Sequence, residues 1–152
     1  MYNKMTAAKG ALAAFFTALG SLLGWKGIMV LVWAAAMALD YLSGTAAACK
    51  EGSWSSAAAR SGLWHKGGMI LVVACAGLAD LVMVLLCSHI SREVLNFEWP
   101  VVILPLVLAW YIITELGSIL ENAVRLGAKV PGWLLKLLKA GLSAVDTAAG
   151  KQ

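Results

Sequence analysis

Three carboxylates placed inside long apolar runs pose the first chemical question in this 152-residue sequence: Asp40, Asp80 and Glu115. Holding an Asp at mid-bilayer costs on the order of 2.5–3.5 kcal/mol, so such a group normally faces a protein interior or water. On a helix, Asp80 shares a face with Ala76, Gly77, Val84 and Cys87, and Asp40 with Ala36, Met37, Ser43 and Gly44. Both faces carry mostly small side chains, the kind on which helices pack in lipid. Tyr111, Glu115, Ser118 and Asn122 recur at i, i+4, i+7 and i+11, a polar stripe on an otherwise fatty helix, and Glu121 and Arg125 are spaced to pair beside it. Two readings fit these acids. Either they hold one subunit together through cross-helix hydrogen bonds, or they become the wetted lining of a pore when subunits associate. The second is favoured for the Glu115 stripe, with an interfacial helix end as a further reading of Glu115 and Asn122. The candidate pore or subunit-interface residues are therefore Asp40, Ser43, Gly44, Gly77, Asp80, Tyr111, Glu115, Ser118 and Asn122.

Other chemistry is missing from the pattern. His65 and His89 stand at loops or segment boundaries with no Ser, Cys or carboxylate at a telling offset. No phosphate-cradling glycine loop and no HExxH-like metal motif occurs. Cys49, Cys75 and Cys87 are odd in number and lack ligand spacing, so they read as small reduced hydrophobes and not as a disulfide framework or a zinc site. No enzyme, cofactor or metal is expected.

Composition decides the elements that must hold the acids. Hydrophobic residues make up 61% of the chain and charged ones only 13%, with a mean hydropathy of +0.83. A soluble domain has about 25% charged residues. A chain this apolar cannot cover itself with a wettable surface, and the expectation is an all-α integral membrane protein. The periodicity predicts three transmembrane helices near residues 27–49, 67–87 and 99–121. A short N-terminal helix over 10–24 is expected to be a fourth span or a helix lying in the interface, since at about 22 Å it is short for a ~30 Å hydrocarbon core. Its Gly20 and Gly24 form a GxxxG pair suited to close helix packing. Lys4 and Lys9 ahead of that run imitate a signal peptide, but no small-x-small site falls near Leu22–Trp25, so the segment is read as retained. Phe97-Glu98-Trp99-Pro100 is expected to start the last span, with Pro105 kinking it or ending a first turn. Residues 50–66 read as a polar basic loop and 88–98 as a shorter one.

The transmembrane domain is thus expected over 1–126 and a cytoplasmic amphipathic tail over 127–152. In that tail Trp133, Leu134, Leu137, Leu138, Leu142 and Val145 fall on one face, and Lys136, Lys139, Ser143 and Asp146 on the other. Such a helix suits an anionic membrane surface, with Trp133, Lys136 and Lys139 as anchors, or else docks on the protein's own loops. The formal charge of +4 reads as a topology signal, and no nucleic-acid partner is expected. With four spans, ten Lys or Arg lie on one side and two on the other; with three, eight face four. Both counts put the tail in the cytoplasm.

Asp40-Tyr41-Leu42-Ser43-Gly44, then Ala47-Ala48, Lys50-Glu51-Gly52 and Ser55-Ser56, resembles the bacteriophage holin family, which includes clostridial toxin-secretion holins. The likeness continues through Arg60-Ser61-Gly62-Leu63 and Lys66-Gly67. It resumes in Thr114-Glu115-Leu116, Ser118-Ile119-Leu120-Glu121-Asn122 and Arg125-Leu126-Gly127, and closes at Pro131. It spans roughly residues 25–135. The resemblance implies a small phage-encoded protein of the bacterial inner membrane. Such a protein accumulates, associates into homo-oligomeric lesions that depolarise the cell, and lets an endolysin or a toxin out. Two rivals stand beside it on the residues alone: a small transporter or ion channel using the intramembrane carboxylates, with a selective and reversible conductance, and an accessory subunit that purifies in a stoichiometric membrane complex.

Overall fold

A computed structural model describes the backbone of residues 2–90 and 99–150, and the side chains of 24–90 and 99–150. Among the described residues all regular structure is helical: α1 (Tyr2–Lys50), α2 (Ser56–Ile90), α3 (Ile103–Leu126) and α4 (Gly132–Ala148). Three stretches are long and apolar enough to cross a membrane, Gly24–Lys50, Ser56–Ile90 and Ile103–Leu126. At about 1.5 Å per residue each exceeds the ~30 Å of a hydrocarbon core. The expected all-α membrane class with three spans is the observed one.

Local chemistry moved several expected boundaries. Residues 10–24 and 27–49 are parts of one helix, α1, broken at a single residue, Gly24, whose φ of 63° and ψ of 177° only glycine adopts readily. Gly24 is thus a break in α1, and no described atom lies within 4 Å of where its Cβ would be. Whether residues 10–24 form a fourth span, and what Gly20 packs on, lie outside the described side chains.

The stretch 50–66 is not a loop. Its turn covers only Glu51–Ser55, and α2 starts at Ser56. Ser55 caps the start, its Oγ accepting the Ala58 N–H at 3.1 Å, and Ala57-Ala58-Ala59 propagates the helix. The last span begins at Ile103, so Pro100 precedes it and Pro105 falls in its first turn, where no backbone donor is missed and no kink arises.

α3 is the central element. α1 runs parallel to it, with Trp33 level with Tyr111 and Lys50 with Leu126; α2 runs antiparallel, with Lys66 at Glu115 and Asp80 at the start of α3. α1 and α2 scarcely touch each other. Trp33, Met69, Val73 and Leu108 form the buried core, flanked by Met29, Met37, Leu104, Val107, Tyr111 and Ile112. Outward faces are greasy, with Leu42, Leu71 and Leu78 each more than 60% exposed. In water that would be a defect, whereas in lipid it is the expected solvation of a span.

α4 does not float free of the bundle. It turns back along α3, antiparallel to it, after the left-handed C-cap at Gly127 (φ 100°). Trp110 Nε1 donates to Asp146 Oδ1 at 3.1 Å, and a Cβ on Gly141 would come within 3.3 Å of Ile113 Cδ1. The face that meets α3 includes Leu134, Leu138, Leu142 and Val145, all half-buried. Of the two placements open to the tail helix, docking on the protein's own chain is the one seen, on a span and not on loops. Asp146 belongs to that docked face and not to the outward polar one, because the Trp110 indole offers it a donor.

Candidate functional site

Lys66 organises the polar interior. It sits ten residues into α2 and is only 14% exposed at its side chain. Its ammonium donates to Asp40 Oδ2 of α1 at 2.9 Å, and to Glu115 Oε1 and Oε2 of α3 at 2.7 and 2.6 Å. One cation therefore ties together three helices, two of which make little other contact. In a low-dielectric interior, removing one member of such an ion pair costs about 3–5 kcal/mol, because the other is left uncompensated.

The second polar layer rests on Asn122. Its Nδ2 donates to Asp40 Oδ1 at 3.1 Å and to Ser43 Oγ at 3.2 Å, while its Oδ1 accepts from Arg125 Nη1 at 3.2 Å. Gly44 makes room for it: a Cβ there would lie 3.3 Å from Asn122 Nδ2. Above this layer, Lys50 donates to the Leu126 carbonyl at 2.7 Å and to that of Arg125 at 3.3 Å, a cation on the C-terminal end of the α3 dipole. Arg125 pairs with Glu51 in a two-bond fork of 2.7 and 3.0 Å, not with Glu121 as the i, i+4 spacing suggests. The guanidinium bonded to Glu51 holds that carboxyl below its ordinary range. A cleft of about 360 Å³ opens between α1 and α2 down to Asp40 and Lys66, walled by Tyr41, Thr45, Trp54, Ser118 and Glu121 among others.

Asp80 does separate work about 20 Å away, fourteen residues along α2 from Lys66. Val102, the N-cap position of α3, provides no side-chain cap. The Asp80 carboxylate replaces it from the neighbouring helix, accepting the N–H of Leu104 at 2.7 Å, that of Ile103 at 3.2 Å and Trp99 Nε1 at 3.0 Å. An anion at the N-terminal end and Lys50 at the C-terminal end match the α3 dipole in sign.

The structure therefore brings Asp40, Ser43, Gly44, Glu115, Ser118 and Asn122 to one place and keeps Asp80 and Gly77 at another. Gly77 is half-buried, 3.9 Å at its Cβ position from Leu104. Tyr111 lies between, its ring stacked 6.1 Å from that of Trp33. In the single chain Asp40, Ser43, Asp80, Glu115 and Asn122 are bonded within one subunit. Trp133, Lys136 and Lys139 are exposed on the outer side of α4. Among the described residues no group of three His, Cys, Asp or Glu is placed to hold a metal.

Comparison with known proteins adds the family. The model of the bacteriophage holin family matches residues 17–141, which includes all three spans, the Lys66 cluster and the Asp80 cap. The chain belongs to the bacteriophage holin family. An uncharacterized protein of Listeria monocytogenes is 32% identical over 130 residues, covering 86% of this chain and 83% of that protein; one of Listeria innocua matches to the same extent. An uncharacterized protein of Halalkalibacterium halodurans is 33% identical over 135 residues, covering 89% and 90%. No solved structure matches the chain.

In this holin-family chain the residues that sequence reasoning missed are the cations. Lys66, Lys50 and Arg125 read as loop and tail charges that set topology, and each is bound into the α1–α3 joint. A signal for Lys66 was present: from Lys66 the packed stripe of α2 continues through Met69, Val73, Ala76 and Asp80 at helical spacing.

Proposed function

We propose that this holin-family protein permeabilises the bacterial cytoplasmic membrane by self-association, freeing a wall-degrading enzyme or a toxin held inside. The observation that carries the reading is the family match over residues 17–141 on a chain with three membrane-spanning helices. The packing is compatible with it. Lipid supplies little hydrophobic force between helices, so packing and polar contacts set the association state, and rising density drives assembly by mass action. The chain acts without catalysis. Lys50, Arg60, Arg125 and Lys129, gathered at the two turns on one side of the spans, support a cytoplasmic placement of that side; Lys66, Lys136 and Lys139, which lie level with the spans, leave that count. The engagement of Asp40 and Glu115 by Lys66 lends less support to a cation path through the lone subunit.

The test is inducible expression in a bacterium with a potential-sensitive dye, with and without a co-expressed endolysin. Abrupt depolarisation is expected in both strains and lysis only with the enzyme. Steady potential at high expression, or a selective and reversible conductance, would sink the reading.

A further inference from the structure

The polar stripe on the outside of α4 is the surface with no home in the single chain. Docked on α3, α4 extends about 25 Å along it, and Gly141 stands level with Ile113, the eleventh of the 24 residues of α3. Lys139 and Ser143 are each two residues from Gly141, so they lie within about 3 Å of the depth of Ile113, in the middle third of the span. Lys136, Lys139, Ser143 and Thr147 are all exposed on the side turned away from α3. An uncovered ammonium at that depth in hydrocarbon is strongly unfavourable, and such groups face water or protein; the Thr147 hydroxyl, nearer the start of α3, donates to the Ser143 carbonyl at 2.8 Å. Among the described residues the other helices offer no such stripe at that depth: α1 exposes Leu39 and α2 exposes Leu71, with one polar ring at His65 beside Lys66, while Asp40, Lys66, Glu115 and Asn122 are turned inward and bonded to one another.

We infer that α4, and not the acidic stripe of α3, lines the water-filled lumen made when copies of this chain assemble. The inference rests on the permeabilising function proposed above and names the wall of that pore. Lys136, Lys139, Ser143 and Thr147 face the lumen, and the adjacent exposed stripe of Trp133, Leu137, Ala140 and Ala144 faces lipid or the next copy. With two lysines per subunit on the wall, the lumen favours small anions over small cations.

The experiment uses the full chain with Cys49, Cys75 and Cys87 replaced by Ala, reconstituted in dye-loaded vesicles at low and high protein density. Ser143→Cys and Ala144→Cys are probed with a membrane-impermeant maleimide. The Ser143→Cys thiol is expected to pass from protected to labelled as the vesicles begin to leak, while Ala144→Cys stays protected. In the parent chain an anionic dye should escape faster than a cationic one of equal size, and K136E/K139E should reverse that order. A Ser143→Cys thiol that stays protected in leaking vesicles, or is labelled equally at low density in tight ones, overturns the assignment: the first places the lumen elsewhere, the second places α4 on the membrane surface. Vesicles that never leak at any density overturn the permeabilising function itself.

Discussion

The carboxylate of Asp80, on α2, accepts the backbone N–H of Leu104 at 2.7 Å and so caps a helix to which it does not belong. Unsatisfied backbone donors at a helix start are costly once water is excluded. Val101, two residues before the helix, has a φ of 50°, a conformation a β-branched residue rarely adopts, and the Asp80 bonds help to hold the chain there.

Asp80→Ala should therefore loosen the start of α3 rather than impair a pore. A loss of about 1–3 kcal/mol is expected from the unpaired donors. Asp80→Asn keeps acceptor oxygens without the charge and should lose less. Thermal unfolding in detergent followed by circular dichroism checks the order, and Trp99 fluorescence should shift only in variants that release its indole. Equal melting of all three proteins would remove the capping role.

Lys66→Met leaves Asp40 and Glu115 facing each other without their cation. We expect a loss of about 3–5 kcal/mol, the cost of an uncompensated buried charge. Asp40→Asn/Lys66→Met/Glu115→Gln carries no charge at the site and should recover much of that loss. Chemical denaturation in mixed micelles measures both. A triple variant no better than Lys66→Met would mean that packing, and not charge compensation, holds the joint.

Much of the fold was legible in composition and period, because apolar runs above the length of a bilayer admit few structures. The positions of Tyr111, Glu115, Ser118 and Asn122 on one polar face of α3 followed from their spacing. What spacing could not supply was the partner from another helix. Lys66 follows a Gly/Ser-rich stretch that reads as loop until Ser55 is recognised as a cap, so its charge was assigned to topology. Asp80 looked like Asp40 because both lie among small residues; only the end of α3 beside it separates a cap from an ion pair. Amphipathicity placed α4 correctly as a helix, but an apolar face fits a span as well as a membrane surface, and the Trp110–Asp146 bond decides between them.

The fork between Glu51 and Arg125 ties the α1–α2 turn to the end of α3, outside the apolar spans, and gives that joint a pH dependence. Arg125 holds the Glu51 carboxyl below its ordinary range. The stabilisation is present above the carboxyl's unfolded value and is lost as the pH falls through its lower folded value. The protection of the Gly52 and Ser53 amides, taken as exchange relative to the intrinsic rate at each pH, should fall on acidification below the usual carboxylate range and hardly change between mildly acidic and neutral pH. Glu51→Gln should show low protection throughout. Protection that is flat with pH in the parent chain would show that the fork does not restrain the turn.

Among the described residues one side-chain hydrogen bond docks α4, over an imperfect fit, since a cavity of about 320 Å³ remains between Val72 of α2, Val107 and Trp110 of α3, and Val145 and Ala149 at the tail end. No residue of α4 is fully buried. A hydrogen bond to a charged acceptor contributes roughly 1.5–3 kcal/mol, a large share of what holds so lightly packed a helix. Asp146→Ala and Trp110→Phe should each raise the rate of tryptic cleavage after Lys136 and Lys139, because cleavage needs α4 to leave α3 and unwind locally. The double variant should be cleaved little faster than the worse single one, since the second change removes a bond already gone. Fully additive rates would show that the two side chains act independently and that apolar contacts alone keep α4 in place.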